Sequence, residues 1–170
     1  MKLKNQLTKE ECKEYFYHKN GTLFWKNDLS RYTKKDSPVG YHKSKGYYQV
    51  RIRRNNKVFI YYLHVLLWNY YNGIIPDGHE IDHIKQLSNG GLNVIDNLRL
   101  VSSSINSQNK KTRSQSGYTN ITKSKTNSIN PWHVRIKKFK VTRCFDNLEE
   151  AIEYRNKMRM QFGLLPAIDK

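Results

Sequence analysis

The chain has 170 residues, enough for one compact domain or two small ones, and 37% of them are hydrophobic. Its 31 Lys and Arg residues outnumber its 14 acids and give a net charge of +17, which indicates a polyanion, above all nucleic acid, as the partner. Two cysteines, Cys12 and Cys144, are too few for a four-cysteine zinc site or a disulfide framework. No signal segment or bilayer-long apolar run is present, so we expect a cytoplasmic protein that does not enter a membrane.

The first elements are a short helix and a hairpin. Thr8 and Glu11 have the spacing of a capping box and predict a helix that ends near Glu14. Asn20-Gly21 is a strong turn signal between two aromatic stretches, so a first hairpin is expected there. The polar residues 28–46 favour a loop.

A second hairpin and a buried helix follow. Residues 47–54 and 57–62 alternate between apolar and polar side chains, which is typical of strands with one buried and one solvated face. The largely apolar run 63–71 predicts a short helix that Asn72-Gly73 ends.

The middle of the chain predicts two strands and a helix. Residues 80–84 and 97–101 read as strands, separated by a polar loop that contains Asn89-Gly90-Gly91. Residues 102–110 read as a helix whose first serines are available as caps.

The last third predicts a separate module. Residues 112–116 form a hinge-like linker, so we expect one domain over 1–111 and a second over 117–170. In the second domain, 118–122, 132–139 and 141–145 are predicted strands, and 147–162 is a predicted helix ended by Gly163. The expected buried face of this helix contains Ala151, Ile152 and Met158.

The charge is unevenly distributed along the sequence. From Asn97 through Phe145 there is no Asp or Glu, whereas eleven Lys and Arg residues are present. Such a stretch is suited to lie on phosphate groups. We therefore expect DNA contacts from its basic residues, including Arg99, Lys110, Lys111, Arg113 and Lys138.

Four polar side chains in the middle of the chain have the chemistry of phosphodiester hydrolysis. Asp82 offers a hard anionic oxygen suited to Mg²⁺ or Mn²⁺, and His83 can accept a proton from water near neutral pH. Asn97 can orient a histidine through its amide, and Asn106 on the following helix can turn its carbonyl oxygen toward a metal ion.

These residues resemble the HNH nucleases with a ββα-metal fold, and in particular the phage and intron-encoded group. The likeness rests on Asp82-His83, a loop, the stretch 97–101 and then Asn106; the leader with Gly46-Tyr47, His64 and Trp68 is also similar. The resemblance implies that His83 is the general base, that Asp82 and Asn106 bind a divalent metal, and that Asn97 positions His83. It implies a packing role for His64. The loop 84–96 is longer than the usual compact turn of the family.

The region 117–163 resembles the APETALA-type (ethylene-response-factor) DNA-binding domain, which has three strands and a packing helix. The resemblance implies that the sheet enters the major groove. By position Trp132, Arg135, Lys137 and Arg143 would read bases, and Lys123 and Lys125 would contact phosphate. Alternatively, Trp132 packs under the helix, and Arg135 and Arg143 form a solvated edge.

The fold class expected from these features is α+β, with an HNH ββα-metal module and a three-stranded sheet with one packing helix. The expected function is metal-dependent cleavage of double-stranded DNA by a homing-type HNH endonuclease, acting in the host cell of a phage or mobile element. No obligate protein partner is evident, and a monomer and a dimer both remain open. The alternatives are a non-catalytic DNA-binding protein with an HNH scaffold and a structural RNA-binding protein.

Overall fold

The computed structural model divides into two compact units, residues 1–102 and 103–170. Its architecture is α+β, with small antiparallel sheets and short helices. The described residues are 5–40, 42–44, 47–87, 90–109, 116–125 and 129–167, of which 42–44 are described by their backbone alone.

The first unit begins with helix α1 (Lys9–Tyr15) and a hairpin of strands β1 (Phe16–Lys19) and β2 (Thr22–Trp25). The predicted capping box is confirmed, because the Thr8 hydroxyl accepts from the Glu11 amide and the Glu11 carboxylate accepts from the Thr8 amide. The predicted hairpin is also confirmed. Its turn has φ of 48° at Asn20 and 77° at Gly21, the left-handed values that Asn-Gly readily adopts.

The second sheet contains strands β3 (His42–Ser44), β4 (Tyr47–Arg54) and β5 (Lys57–Tyr62) in that order, all antiparallel. The predicted hairpin β4–β5 is confirmed, with Val50 and Ile52 buried on one face. The prediction of loop throughout 28–46 was wrong for β3. Three residues are too few to display alternation, and this strand pairs with β4 through its backbone.

Helix α2 (Leu63–Asn72) packs against α1, β4, β5 and β6 and confirms the helix predicted over 63–71. Gly73 ends it with φ of 82°, donating its amide to the Asn69 carbonyl. Leu66 and Leu67 are buried in the core of this unit. Within the part of the chain that the structure describes, no helix is long and apolar enough to cross a membrane.

Strands β6 (His79–His83) and β7 (Leu98–Ser102) form an antiparallel pair, and a 3₁₀ turn over Ile95–Asn97 precedes β7. Helix α3 (Ser103–Gln108) follows directly in the chain and begins the second unit. The two strands and the helix therefore occur in the predicted order along the sequence.

The second unit contains a three-stranded antiparallel sheet with the order β10-β9-β8, on which helix α4 (Leu148–Gln161) packs. Its strands are β8 (Ile121–Lys123), β9 (Trp132–Ile136) and β10 (Val141–Phe145). The strand predicted over 132–139 is shorter than expected. Lys137–Phe139 form a 3₁₀ turn that ends at Lys140 with φ of 55°.

The buried face of α4 differs from the expected one. Ala151 is buried as predicted and Ile152 is partly buried and packs against the same cluster, whereas Met158 is partly buried and is not part of that cluster. The other buried residues are Arg155 and Arg159, which are 0% and 1% exposed. A face judged by apolar side chains misses them, because a guanidinium group is buried only where tertiary contacts supply acceptors.

Arg159 connects α4 to both ends of its own unit. It donates to the Leu165 carbonyl at 2.9 Å, to the Gln108 carbonyl at 3.0 Å and to Asn120 Oδ1 at 3.0 Å. These bonds hold the end of α3 within the second unit, whereas the sequence placed the boundary at 112–116. Residues 112–115 of that linker lie outside the described residues, and the division into a nuclease domain and a DNA-binding domain stays a prediction.

Replacing Arg159 with alanine is expected to lower the free energy of unfolding of the second unit by about 3 kcal/mol, because three partly buried oxygen acceptors lose a charged donor. Chemical denaturation of the full chain measures the change. Lys157→Ala is the control, since Lys157 is exposed on the same helix. Equal stability of the two variants would contradict a structural role for Arg159.

Candidate active site

The last two side chains of strand β6 point to opposite sides of the strand, because successive side chains on a strand alternate between its two faces. His83 is 4% exposed and lies opposite Leu98 of β7. Asp82 lies opposite Arg99, with 11% of its side chain exposed. The pair therefore places an enclosed imidazole beside a more accessible carboxylate.

The imidazole of His83 is held by an amide from the loop. Its Nε2 lies 2.8 Å from Oδ1 of Asn93. An amide oxygen only accepts hydrogen bonds, so the neutral ring carries its proton on Nε2 and its lone pair on Nδ1. Asn93 thereby determines which nitrogen of His83 can accept a proton.

Asn93 was not among the residues singled out from the sequence. The prediction assigned the orientation of His83 to Asn97. In the structure Asn97 binds the loop itself: its Oδ1 accepts from the Lys85 amide at 2.7 Å, and its Nδ2 donates to the carbonyls of Lys85 and Leu92 at 3.0 and 2.8 Å. Asn97 thus binds the loop beside Asn93, which Leu92 precedes, and its positioning of His83 stays a prediction.

The loop between β6 and β7 is closed by a tight contact. Gly91 donates its amide to the Gln86 carbonyl at 2.9 Å, and a Cβ atom on Gly91 would lie 1.8 Å from the Lys85 carbonyl oxygen. That separation is far below van der Waals contact, so this position requires glycine. The backbone at Gly91 therefore packs directly against the backbone at Lys85 and Gln86, and this contact keeps the long loop compact.

Asp82 forms an ion pair across the two strands. The Arg99 Nη2 and Nε atoms lie 3.0 and 3.3 Å from Asp82 Oδ2. Arg99 was predicted to contact DNA, and here its guanidinium orients the carboxylate that was predicted to bind a metal. A phosphate group that reached Asp82 would therefore also be close to a fixed cation.

A second histidine lies behind His83. The ring centroids of His64 and His83 are 5.0 Å apart, and His64 stacks on Tyr62 with centroids 5.6 Å apart. Burial, and then the proximity of His83, lower the pKa of His64 from 6.5 to about 3. His64 is thus a neutral packing group near pH 7, in keeping with the role that the resemblance implied.

The buried His64 predicts acid sensitivity. Below pH 6.5 the unfolded chain protonates His64, whereas the folded chain does not until about pH 3. Stability therefore falls as the pH drops through this window, by on the order of 5 kcal/mol in full. His64→Gln should flatten the dependence of unfolding free energy on pH, and His79→Gln, at an exposed histidine, should not. The same slope in wild type and His64→Gln would contradict this.

The predicted metal ligands are Asp82 and Asn106. Asn106 lies on α3 and belongs to the second unit. Carboxylate and amide oxygens are hard donors that suit Mg²⁺ or Mn²⁺, so the chemistry of the two side chains fits such an ion. The described residues contain no group of three or more His, Cys, Asp or Glu that could hold a metal.

The sheet of the second unit has two different faces. Ile121 and Val134 are buried beneath α4, and Trp132 packs with them, which agrees with the packing alternative for this residue. Arg143 is on the same face and lies 5.1 Å from the ring centroid of Tyr154. By alternation, the opposite face presents Arg135, which is exposed.

The other predicted DNA contacts are distributed around this unit. Lys125, Lys137 and Lys138 are exposed, and Lys123 lies 5.2 Å from the Trp132 ring centroid. Lys138 also donates to the Ser104 hydroxyl. The predicted contacts Lys110, Lys111 and Arg113 lie outside the described residues.

Comparison with known proteins gives one match. Residues 61–108 match the family model described as HNH endonuclease. No curated protein and no solved structure matches the chain. The matched segment covers α2 through α3 and contains all four residues predicted for the chemistry: Asp82, His83, Asn97 and Asn106. This segment of the chain therefore supports a nuclease of the HNH type.

Proposed function

We propose that the chain is a metal-dependent DNA endonuclease that hydrolyses phosphodiester bonds through His83. The observation that carries the proposal is the hydrogen bond from His83 Nε2 to Asn93 Oδ1. It leaves Nδ1 as the proton acceptor on an imidazole next to the Asp82 carboxylate. General-base catalysis needs a ring held in one tautomer and one orientation, and this arrangement supplies both.

Each residue of the site has a separate task in this proposal. His83 takes the proton from the attacking water, and Asn93 stabilises the imidazolium that results by retaining its hydrogen bond. Asn97 keeps the loop closed. Asp82 and Asn106 would hold Mg²⁺ or Mn²⁺, which when bound supplies positive charge for the phosphate and the departing oxygen. Arg99 orients Asp82 and adds a second positive charge nearby.

The second unit would bind the DNA. We infer an APETALA-type mode in which the face of the sheet opposite α4 carries Arg135 toward the bases, while Lys123, Lys125 and Lys137 contact phosphates. Trp132 and Arg143 support that sheet from the helix side. A homing-type enzyme of a phage or mobile element is consistent with a nuclease joined to a separate reader.

The proposal is tested with supercoiled plasmid and purified chain. Nicked or linear product is expected with Mg²⁺ or Mn²⁺ and none with EDTA, because the reaction needs a cation at the phosphate. The ratio of nicked to linear product over time distinguishes cutting of one strand from cutting of two. Cleavage that persists unchanged in EDTA would contradict the metal requirement.

One observation favours a second candidate, a DNA-binding protein that does not cleave. The ion pair with Arg99 already neutralises the Asp82 carboxylate, a task that a bound metal ion would otherwise perform. The same assay separates the candidates. Binding of duplex DNA without cleavage under either divalent metal would favour the second.

A further inference from the structure

Helix α3, which carries the proposed metal ligand Asn106, is too short to be stable by itself. It has six residues, Ser103–Gln108, whereas isolated helices shorter than about 12 residues are marginal in water. Its conformation must therefore be fixed by contacts from outside the helix. The direction of the Asn106 side chain depends on the same contacts, because the helix backbone determines where that side chain begins.

The end of α3 is bound to the C-terminal segment, which we define as residues 163–167. Asn109 directly follows the helix and is 5% exposed. Its side-chain Oδ1 accepts from the Leu165 amide at 3.2 Å, and its own amide donates to the Asn106 carbonyl at 3.1 Å. Two hydrogen bonds thus connect the C-terminal segment to the backbone of Asn106.

Arg159 of α4 closes the same connection. It donates to the Gln108 carbonyl at 3.0 Å and to the Leu165 carbonyl at 2.9 Å, so one guanidinium group binds both α3 and the C-terminal segment. Leu164 is 2% exposed, and its amide donates to the Arg159 carbonyl at 2.9 Å. The segment that binds Asn109 is therefore itself anchored within the unit.

The beginning of α3 is also bonded to a later part of the second unit. Lys138, in the 3₁₀ turn between β9 and β10, donates to the Ser104 hydroxyl. Both ends of α3 are therefore held by the region that the sequence assigned to DNA binding.

We propose that Asn109 and Arg159 are positioning residues that orient Asn106 for metal binding, so that the C-terminal segment contributes to the metal site as well as to the unit that binds DNA. The proposal rests on the proposed function for the role of Asn106. A neutral amide oxygen binds a cation well only when it is held in the right direction. Removing a group that orients a metal ligand typically costs about 10–100-fold in metal affinity or activity.

The first measurement is Mn²⁺ binding to the full chain, which does not require cleavage. Asn109→Ala removes the acceptor of the Leu165 amide and keeps the backbone bond to Asn106. We expect the Mn²⁺ dissociation constant, obtained from the electron paramagnetic resonance signal of the free ion, to rise by about tenfold. Asn106→Ala is the reference for complete loss of this ligand and should raise the constant at least as much.

Hydrogen exchange of the metal-free chain tests how Asn109 acts. The amides of α3 should lose protection in Asn109→Ala, because a short helix that loses an outside contact opens more often. At saturating Mn²⁺, plasmid nicking by this variant should approach the wild-type rate, since His83 is unchanged. A residue that took part in the chemical step would instead lower the rate at every Mn²⁺ concentration.

Val134→Ala is the matched control for a general loss of stability. Val134 is 0% exposed and packs with Ile121 and Ala151, so its truncation lowers the melting temperature of the same unit and leaves the bonds to α3 in place. This variant should keep the wild-type Mn²⁺ affinity. If Asn109→Ala does not fold, Arg159→Lys takes its place with the same expected shift, because lysine keeps the charge but lacks the planar group that bonds both carbonyls.

Three results would overturn the inference. They are wild-type protection of α3 in the folded variant, a wild-type Mn²⁺ dissociation constant for that variant, or an equal loss of Mn²⁺ affinity in Val134→Ala. Failure of the proposed function looks different. In that case Asn106→Ala would bind Mn²⁺ as the wild type does, and the wild-type protein would not cleave DNA with either metal.

Discussion

His83→Ala is expected to reduce the rate of DNA cleavage by about 10²–10⁴-fold, the usual contribution of a positioned general base. Alanine cannot accept a proton from water at any pH, and no other side chain is expected to take over this task. DNA affinity should be unchanged, because the imidazole is enclosed and held by Asn93 rather than presented to a ligand. Plasmid nicking measures the first quantity, and a mobility-shift titration measures the second.

The matched control for this variant is His79→Ala, which removes an exposed histidine from the same strand. Asn93→Ala should have an intermediate effect, with a rate reduced by about 10–100-fold, because the imidazole loses its hydrogen-bond partner but can still accept a proton. Cleavage by His83→Ala at the wild-type rate would exclude His83 as the proton acceptor.

Gly91→Ala is expected to reduce cleavage by about 100-fold, the loss that follows from a misplacement of roughly 1 Å in a catalytic group. The added Cβ would meet the Lys85 carbonyl oxygen at 1.8 Å, and a backbone atom cannot move aside as a flexible side chain can. The loop must therefore shift, and Asn93, two residues later, shifts with it. The rate of nicking and the melting temperature are measured on the same preparation.

Gly90→Ala is the control for this loop. Its Cβ would meet nothing closer than 3.9 Å, although φ of 77° makes alanine strained there by about 1 kcal/mol. We expect a modest loss of stability and nearly normal cleavage for this variant. If Gly91→Ala were as active as Gly90→Ala, the contact between Gly91 and Lys85 would not determine the position of His83.

The parts of the fold that could be predicted are those encoded over short distances. The capping box at Thr8, the Asn20-Gly21 turn and the alternation of β4 and β5 each depend on neighbours in sequence, and each is confirmed. Strand β3 could not be predicted, because its pairing partner rather than its own residues makes it a strand.

The candidate site shows the same division. The residue types at Asp82 and His83 are informative because adjacent strand residues diverge regardless of the rest of the fold. Asn93 gave no signal, since its approach to His83 depends on the crossing at Gly91 and on the bonds of Asn97, which join positions up to 12 residues apart. A long loop with two glycines indicates only an unusual backbone conformation. Which side chains it brings together depends on the contacts that close the loop in the folded chain.

The buried guanidinium groups of α4 affect how strongly ionic strength should govern association with DNA. Composition counts 31 cationic side chains, but Arg155 and Arg159 are enclosed and donate to carbonyl and amide oxygens of their own unit. They cannot displace the ions condensed on a phosphate chain, and only displaced ions steepen the fall of affinity with added salt. A count of Lys and Arg therefore overstates that steepness for this protein, because Arg155 and Arg159 instead bind α4 to the segment that precedes β8.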